Sequence, residues 1–176
     1  CSLTVALPII SACGIETVIL PSAVLSTHTA GFNNFTVTDL SGDIPKIANH
    51  WKDENIKFDC VYTGYLGSEE QIDYVLDIFS SLTRENALKI VDPAMADNGK
   101  LYPAFDIEYA NAMKRLCSKA DIVIPNITEA CFLTDTEYKT EYDEEYIISL
   151  LKKLTALGAK KVVLTGVGYS ADKTGV

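Results

Sequence analysis

Two carboxylates, Asp92 and Asp97, lie close together in the stretch Lys89–Tyr102, KIVDPAMADNGKLY. The apolar run Ile90-Val91 stops at Asp92-Pro93, and the turn-prone segment Asp97-Asn98-Gly99 follows. Such a run reads as a buried strand, and Asp-Pro and Asn-Gly read as the turns that end it. Open α/β sheets bind ligands just past the carboxyl ends of their strands. Carboxylates placed there suit a hard cation and the phosphates it carries. A plainer reading competes: aspartates in turns often bond their own backbone. Position alone leaves both readings open.

Other candidate groups also stand at the ends of apolar runs. In ADIVIPNITEACFL, a strand meets Pro125-Asn126 and a helix begins. Asn126 and Glu129 have the N-x-x-E spacing of a capping box, which satisfies orphan N–H groups at a helix start. A role in a cleft would need Glu129 to turn away from that task. Thr165 and Gly166 end another run, where glycine permits close backbone approach. Thr63-Gly64-Tyr65 ends a third, and Tyr65 could stack on a planar ligand. His28 and Thr29 lie in the polar segment Ser26–Phe35, where a lone histidine can equally be a surface group.

The elements that would position these groups alternate. Strands are predicted at Glu16–Pro21, Phe58–Thr63, Leu88–Asp92, Asp121–Ile124 and Lys161–Thr165, from short Val/Ile-rich runs. A helix starts at the capping box Ser68–Gln71, with Ile72, Val75, Leu76 and Phe79 on one face. Asp143 caps another, with Ile147, Leu150, Leu151 and Leu154 inward and Gly158 as its stop. Phe105–Lys119 and Asp43–Trp51 are also expected to be helical. Leu3–Cys13 reads as a helix that Pro8 should kink or restart. Alternation of this kind predicts an α/β fold, with a mostly parallel sheet covered by helices on both faces. The acidic segment Asp135–Glu145 reads as an exposed connection.

Composition removes several classes of function. The chain of 176 residues is 48% apolar, enough for one domain with a sizeable core. A net charge of −9 with scattered Lys and Arg argues against a nucleic-acid surface. It does not exclude anions bound through backbone N–H groups and a cation. The five cysteines are widely spaced with no C-x-x-C, which predicts buried, reduced thiols in a cytoplasmic protein. No apolar run approaches the roughly 18 residues of a membrane span. Neither a P-loop nor a full G-x-G-x-x-G is present.

Taken in order, these segments resemble the ribokinase-like kinases, and among them the pyridoxal (vitamin B6) kinase branch. VLSTHTAGF is similar to the family segment that closes over a pyridine ring, and FDCVYTGYLGS to its strand ending in Thr-Gly-Tyr. IVDPAMADNGKLY resembles the family's Asp-Pro-Val-x-Gly-Asp…Gly-x-x-Tyr motif. ADIVIPNITEACFL resembles Pro-Asn-x-x-Glu-Ala, and VVLTG the Val-x-Thr-Ser strand end. The likeness implies a ribokinase-like fold and transfer of phosphate from ATP to the 5′-hydroxymethyl group of pyridoxal, pyridoxamine or pyridoxine. It implies ring contacts from His28, Thr29 and Tyr65. It assigns ATP binding to Asp92, Asp97, Asn126, Glu129, Thr165 and Gly166, and Mg²⁺, held mostly through water, to Asp97 and Glu129. A monovalent cation, a homodimer and a cytoplasmic location also follow from the family.

Several features qualify the likeness. Ala96 stands where the family has Gly, and Gly166 where it has Ser. TGYLGS is equally similar to the hydroxymethylpyrimidine (phosphate) kinases, which keeps that substrate as an alternative. The family's Gly-Thr-Gly-Asp, whose Asp is the general base, is not found within residues 1–176, nor is the family's first strand. The resemblance therefore implies a single, incomplete domain, with the base expected after Val176 and no turnover by these residues alone. A catalytically inactive homologue that binds B6 or nucleotide is the non-enzymatic alternative.

Overall fold

A computed structural model of the chain describes residues 2–27, 32–170 and 173–176. It opens with helix α1 (Ser2–Ala12), followed by an antiparallel hairpin of β1 (Ala23–Leu25) and β2 (Val37–Asp39). A 3-10 turn at Ser41–Asp43 leads into α2 (Ile44–Asp53). Strand and helix then alternate through β3 (Phe58–Thr63), α3 (Glu69–Ser81) and β4 (Thr83–Val91). The short strands β5 (Ala96–Asp97) and β6 (Lys100–Leu101) pair as a tight hairpin before α4 (Ile107–Cys117). Then come β7 (Ile122–Val123), α5 (Ile127–Thr134), α6 (Glu144–Ala156) and β8 (Lys161–Val162). A last hairpin joins β9 (Val167–Ser170) to β10 (Lys173–Gly175).

The strands β3, β4, β7 and β8 form one parallel sheet in that order. Parallel neighbours need crossover connections, and α3, α4 and the α5–α6 pair supply them. Each of these crossover helices starts where its sequence offers an acceptor. Ser68, Asp106 and Asp143 accept from the N–H groups of Gln71, Tyr109 and Tyr146 at 3.3, 2.9 and 2.9 Å. The helices bury Ile72, Val75 and Phe79, then Tyr109, Met113 and Leu116, then Ile147, Leu150 and Leu154, against Val91 and Val123 of the sheet. Burial of each large side chain contributes about 1.5–3 kcal/mol. The other face of the sheet carries Cys60 beside Leu88 and Tyr62 beside Ile90, and Cys60, Tyr62 and Leu88 are exposed there.

Several expectations need correction. Residues 16–21 are not a strand, because a strand requires a hydrogen-bonded neighbour and none of the sheets includes them. Pro8 does not divide the first helix, which runs through it from Ser2 to Ala12. Of the described cysteines, Cys117 and Cys131 are buried free thiols, but Cys13 and Cys60 are exposed. Among the described residues no helix is long and apolar enough to cross a membrane.

Candidate functional site

The carboxyl ends of β4, β7 and β8 bring most of the sequence-predicted groups together. Asp92 follows β4 directly, and its N–H donates to the Thr63 carbonyl at 3.3 Å, tying it to the end of β3. Its carboxyl is half-buried, and burial pushes its pKa up to about 6, although a hydrogen bond from Tyr62 favours the charged form. Asn126 and Glu129 form the capping box that their spacing predicts. Asn126 Oδ1 accepts from the Glu129 N–H at 2.9 Å, and Glu129 Oε2 accepts from the Asn126 N–H at 2.8 Å.

The same pair does more than cap. Glu129 Oε1 accepts from the Met95 N–H at 3.2 Å, and Asn126 Nδ2 donates to the Ala96 carbonyl at 2.8 Å. The first turn of α5 therefore holds the segment that follows β4. Glu129 is only 4% exposed. Burial first, and then the charge of Asp92, push its pKa up to about 8 against the backbone N–H groups that favour ionisation. Burial disfavours the ionised form of both acids, and a cation bound beside them would favour it.

Asp97 takes the plainer of its two readings in part. It is exposed, and its carboxylate accepts from the Asn98 N–H at 2.8 Å and from Asn98 Nδ2 at 3.0 Å. Asn98 and Gly99 have φ of 50° and 77°, the left-handed region that Gly adopts freely and Asn tolerates. The Gly99 N–H donates to Thr128 Oγ1 at 3.0 Å, so α5 anchors this turn as well.

Thr165 joins the site through backbone. Its N–H and its hydroxyl both donate to the Pro125 carbonyl, at 2.8 and 3.2 Å, and it forms a parallel bridge with Asn126. Gly166 has φ of 73°, and a Cβ there would meet nothing within 4 Å, so space stands open above it. Tyr65 stands at the end of β3, its ring 5.6 Å from Phe105, which stacks on Tyr109 at 3.9 Å. His28 and Thr29 lie outside the described residues.

Two groups escaped the sequence reading. The phenol of Tyr102 is half-buried; burial first, and then the charges of Glu129, Asp97 and Asp92, raise its pKa. Tyr62 bonds Asp92 from the exposed sheet face. A Tyr at the end of the Lys89–Tyr102 stretch was visible, but only the β5–β6 hairpin, with Tyr102 N–H donating to the Met95 carbonyl at 2.9 Å, turns it back among the carboxylates.

Among the described residues no group of three or more His, Cys, Asp or Glu could hold a metal unaided. The carboxylate donors do fit a hard cation that brings phosphate and water oxygens of its own, as Mg²⁺ does.

The model of the phosphomethylpyrimidine kinase family matches residues 7–175, and the chain belongs to that family. It is 33% identical to the pyridoxal kinase of Dictyostelium discoideum over 116 residues, 64% of this chain and 36% of that one. A Bacteroides thetaiotaomicron structure, assigned to the phosphomethylpyrimidine kinases and solved with pyridoxal, is 39% identical. It superposes with a TM-score of 0.91 over 97% of this chain and 59% of its own. The pyridoxal kinase of Lactobacillus plantarum is 35% identical, with a TM-score of 0.87 over 98% of this chain and 61% of its own. The fold is thus ribokinase-like, of the pyridoxal kinase type, and the chain spans less than two thirds of each of these relatives.

Proposed function

We propose that this chain carries the nucleotide-and-metal side of an ATP-dependent kinase acting on the 5′-hydroxymethyl group of a B6 vitamer. The observation that carries this reading is the convergence of Asp92, Asn126, Glu129 and Thr165 at the carboxyl ends of adjoining parallel strands, beside the open space over Gly166. Phosphoryl transfer asks a protein for positioning and charge neutralisation more than for covalent chemistry. Mg²⁺, when bound, would neutralise phosphate charge. Glu129 would hold it mostly through water, and Asp97 would do so once its carboxylate leaves the Asn98 amide. Asp92 and Asn126 would orient the phosphates, the Thr165 hydroxyl would meet a phosphate oxygen, and Gly166 would admit the nucleotide to the backbone. Tyr65 would pack beside the substrate ring, with His28 and Thr29 as its further contacts. In the step itself the hydroxymethyl oxygen bonds to the γ-phosphorus, the bond to ADP breaks, and the hydroxyl proton passes to a base outside this set of residues.

A full-length protein containing these residues should convert pyridoxal and ATP–Mg²⁺ to pyridoxal 5′-phosphate and ADP, and Asp92→Ala in it should lower kcat/KM at least about a hundredfold. A protein that ignores every B6 vitamer and phosphorylates hydroxymethylpyrimidine would overturn the substrate. That second reading has its own support in the family description and in TGYLGS. The pyridoxal in a structure assigned to phosphomethylpyrimidine kinases favours the first. A cytosolic homodimer belongs to the same proposal, and sedimentation of the purified protein tests the dimer.

A further inference from the structure

Gln71 is the most deeply buried polar side chain among the described residues, 1% exposed in the first turn of α3. An amide so placed has to be fully bonded or it is strongly unfavourable. Its carbonyl Oε1 accepts from the Gly67 N–H at 2.7 Å. Its Nε2 lies 3.1 Å from the Ser22 carbonyl, 3.1 Å from Asp39 Oδ1 and 2.8 Å from Ser41 Oγ. Two hydrogens serve three acceptors, so one is shared. The partners come from separate places: the residue before β1, the end of β2, the 3-10 turn that follows it, and the loop that leaves β3.

That convergence has a direction. Ser22 and Asp39 are the two feet of the β1–β2 hairpin, and the Leu40 N–H closes them by donating to the Ser22 carbonyl at 3.0 Å. Ser22 Oγ also donates to the Tyr65 carbonyl at 2.9 Å. Asp39 is braced in turn by the Ser41 N–H and hydroxyl at 3.1 and 2.7 Å. One amide therefore clamps both feet of the hairpin to the Tyr65–Gly67 loop. A leucine of similar volume would fill the same space and make none of these bonds.

We infer that Gln71 is a positioning residue that sets the hairpin against the Tyr65 loop and so fixes the substrate-ring side of the site, independently of the nucleotide side. The inference rests on the kinase reading for what the loop binds, but not for the clamp itself. In the full-length protein Gln71→Leu should raise KM for pyridoxal about tenfold while KM for ATP stays within about twofold, the loss expected for one bonded network on one side of a two-substrate site. Hydrogen exchange at the Ser26 and Leu40 amides should accelerate, with the amides of α3–α6 unchanged. Equal rises in both KM values, or unchanged exchange at the hairpin, would overturn it. If Gln71→Leu does not fold, Asp39→Ala removes one acceptor of Gln71 Nε2 together with the Ser41 brace, and the same readouts decide. Should the full-length wild-type protein phosphorylate no substrate, the kinase reading fails, and hairpin exchange still decides the clamp.

Discussion

At the level of single residues, Glu129 combines two tasks that the sequence presents as alternatives. It closes the capping box and also reaches Met95, so a cleft role does not require it to leave the helix start. The box was legible because it depends only on a spacing of three residues. The Met95 bond was not, since it depends on where the chain returns after β4. Burial has a consequence that can be measured. Asp92 and Glu129 have folded-state pKa values pushed up to about 6 and about 8, above the ordinary 3.8 and 4.5. An acid raised on folding keeps a proton that the unfolded chain has released. Its contribution to stability is therefore complete below the ordinary value and is lost as pH rises through the folded one. Denaturant midpoints should fall between about pH 4 and pH 8, and Asp92→Asn should flatten the lower half of that window. A flat or rising profile would show that these acids are ionised throughout. Added ATP–Mg²⁺ should restore stability most at the alkaline end, where Glu129 is ionised to hold the cation and Asp92 is charged beside it.

At the level of elements, the alternating pattern located the central strands and helices well because each is specified locally, by a cap and an apolar stripe. Residues 16–21 show where that logic stops. Their apolar run reads as a strand, but pairing is a property of the neighbour, and Ile15, Val18 and Ile19 stay exposed. The small hairpins β1–β2, β5–β6 and β9–β10 were missed for the opposite reason: two to four residues give no periodicity to read. The β5–β6 turn is held most tightly. A Cβ on Gly99 would come within 2.7 Å of the Tyr138 ring, in addition to adopting the left-handed region. Gly99→Ala should lower unfolding free energy by about 1–3 kcal/mol. Pairing it with Tyr138→Ala should recover the steric part and leave the backbone part. No recovery in that double variant would mean the ring is not what confines the turn. Ser68→Ala, which removes only a cap, should lower stability by about 1 kcal/mol in the same denaturant titration.

For the whole molecule, the parallel order β3-β4-β7-β8 sets the site at one end of the sheet and leaves its two faces unequal. One face is sealed by α3–α6. The other presents Tyr62 at 42%, Leu88 at 48% and Val163 at 37% exposure, and α1 adds Leu3, Val5 and Ile9 to the exposed apolar surface. Sequence could not separate the faces, because a run such as Leu88–Val91 reads as buried whether one layer or two cover it. Monomeric proteins seldom show contiguous apolar patches larger than a few hundred Å². Among the described residues β3 has a sheet partner on one side only, and an open strand edge invites further association. The 176-residue chain should therefore bind the dye ANS under native conditions. Leu88→Lys combined with Val163→Lys should cut that binding by more than half and leave the melting temperature unmoved, because neither side chain contributes to the sealed core. Native chain that leaves the dye dark, or a double variant that melts well below the parent, would mean that this face is covered in solution and that these residues help hold the fold together.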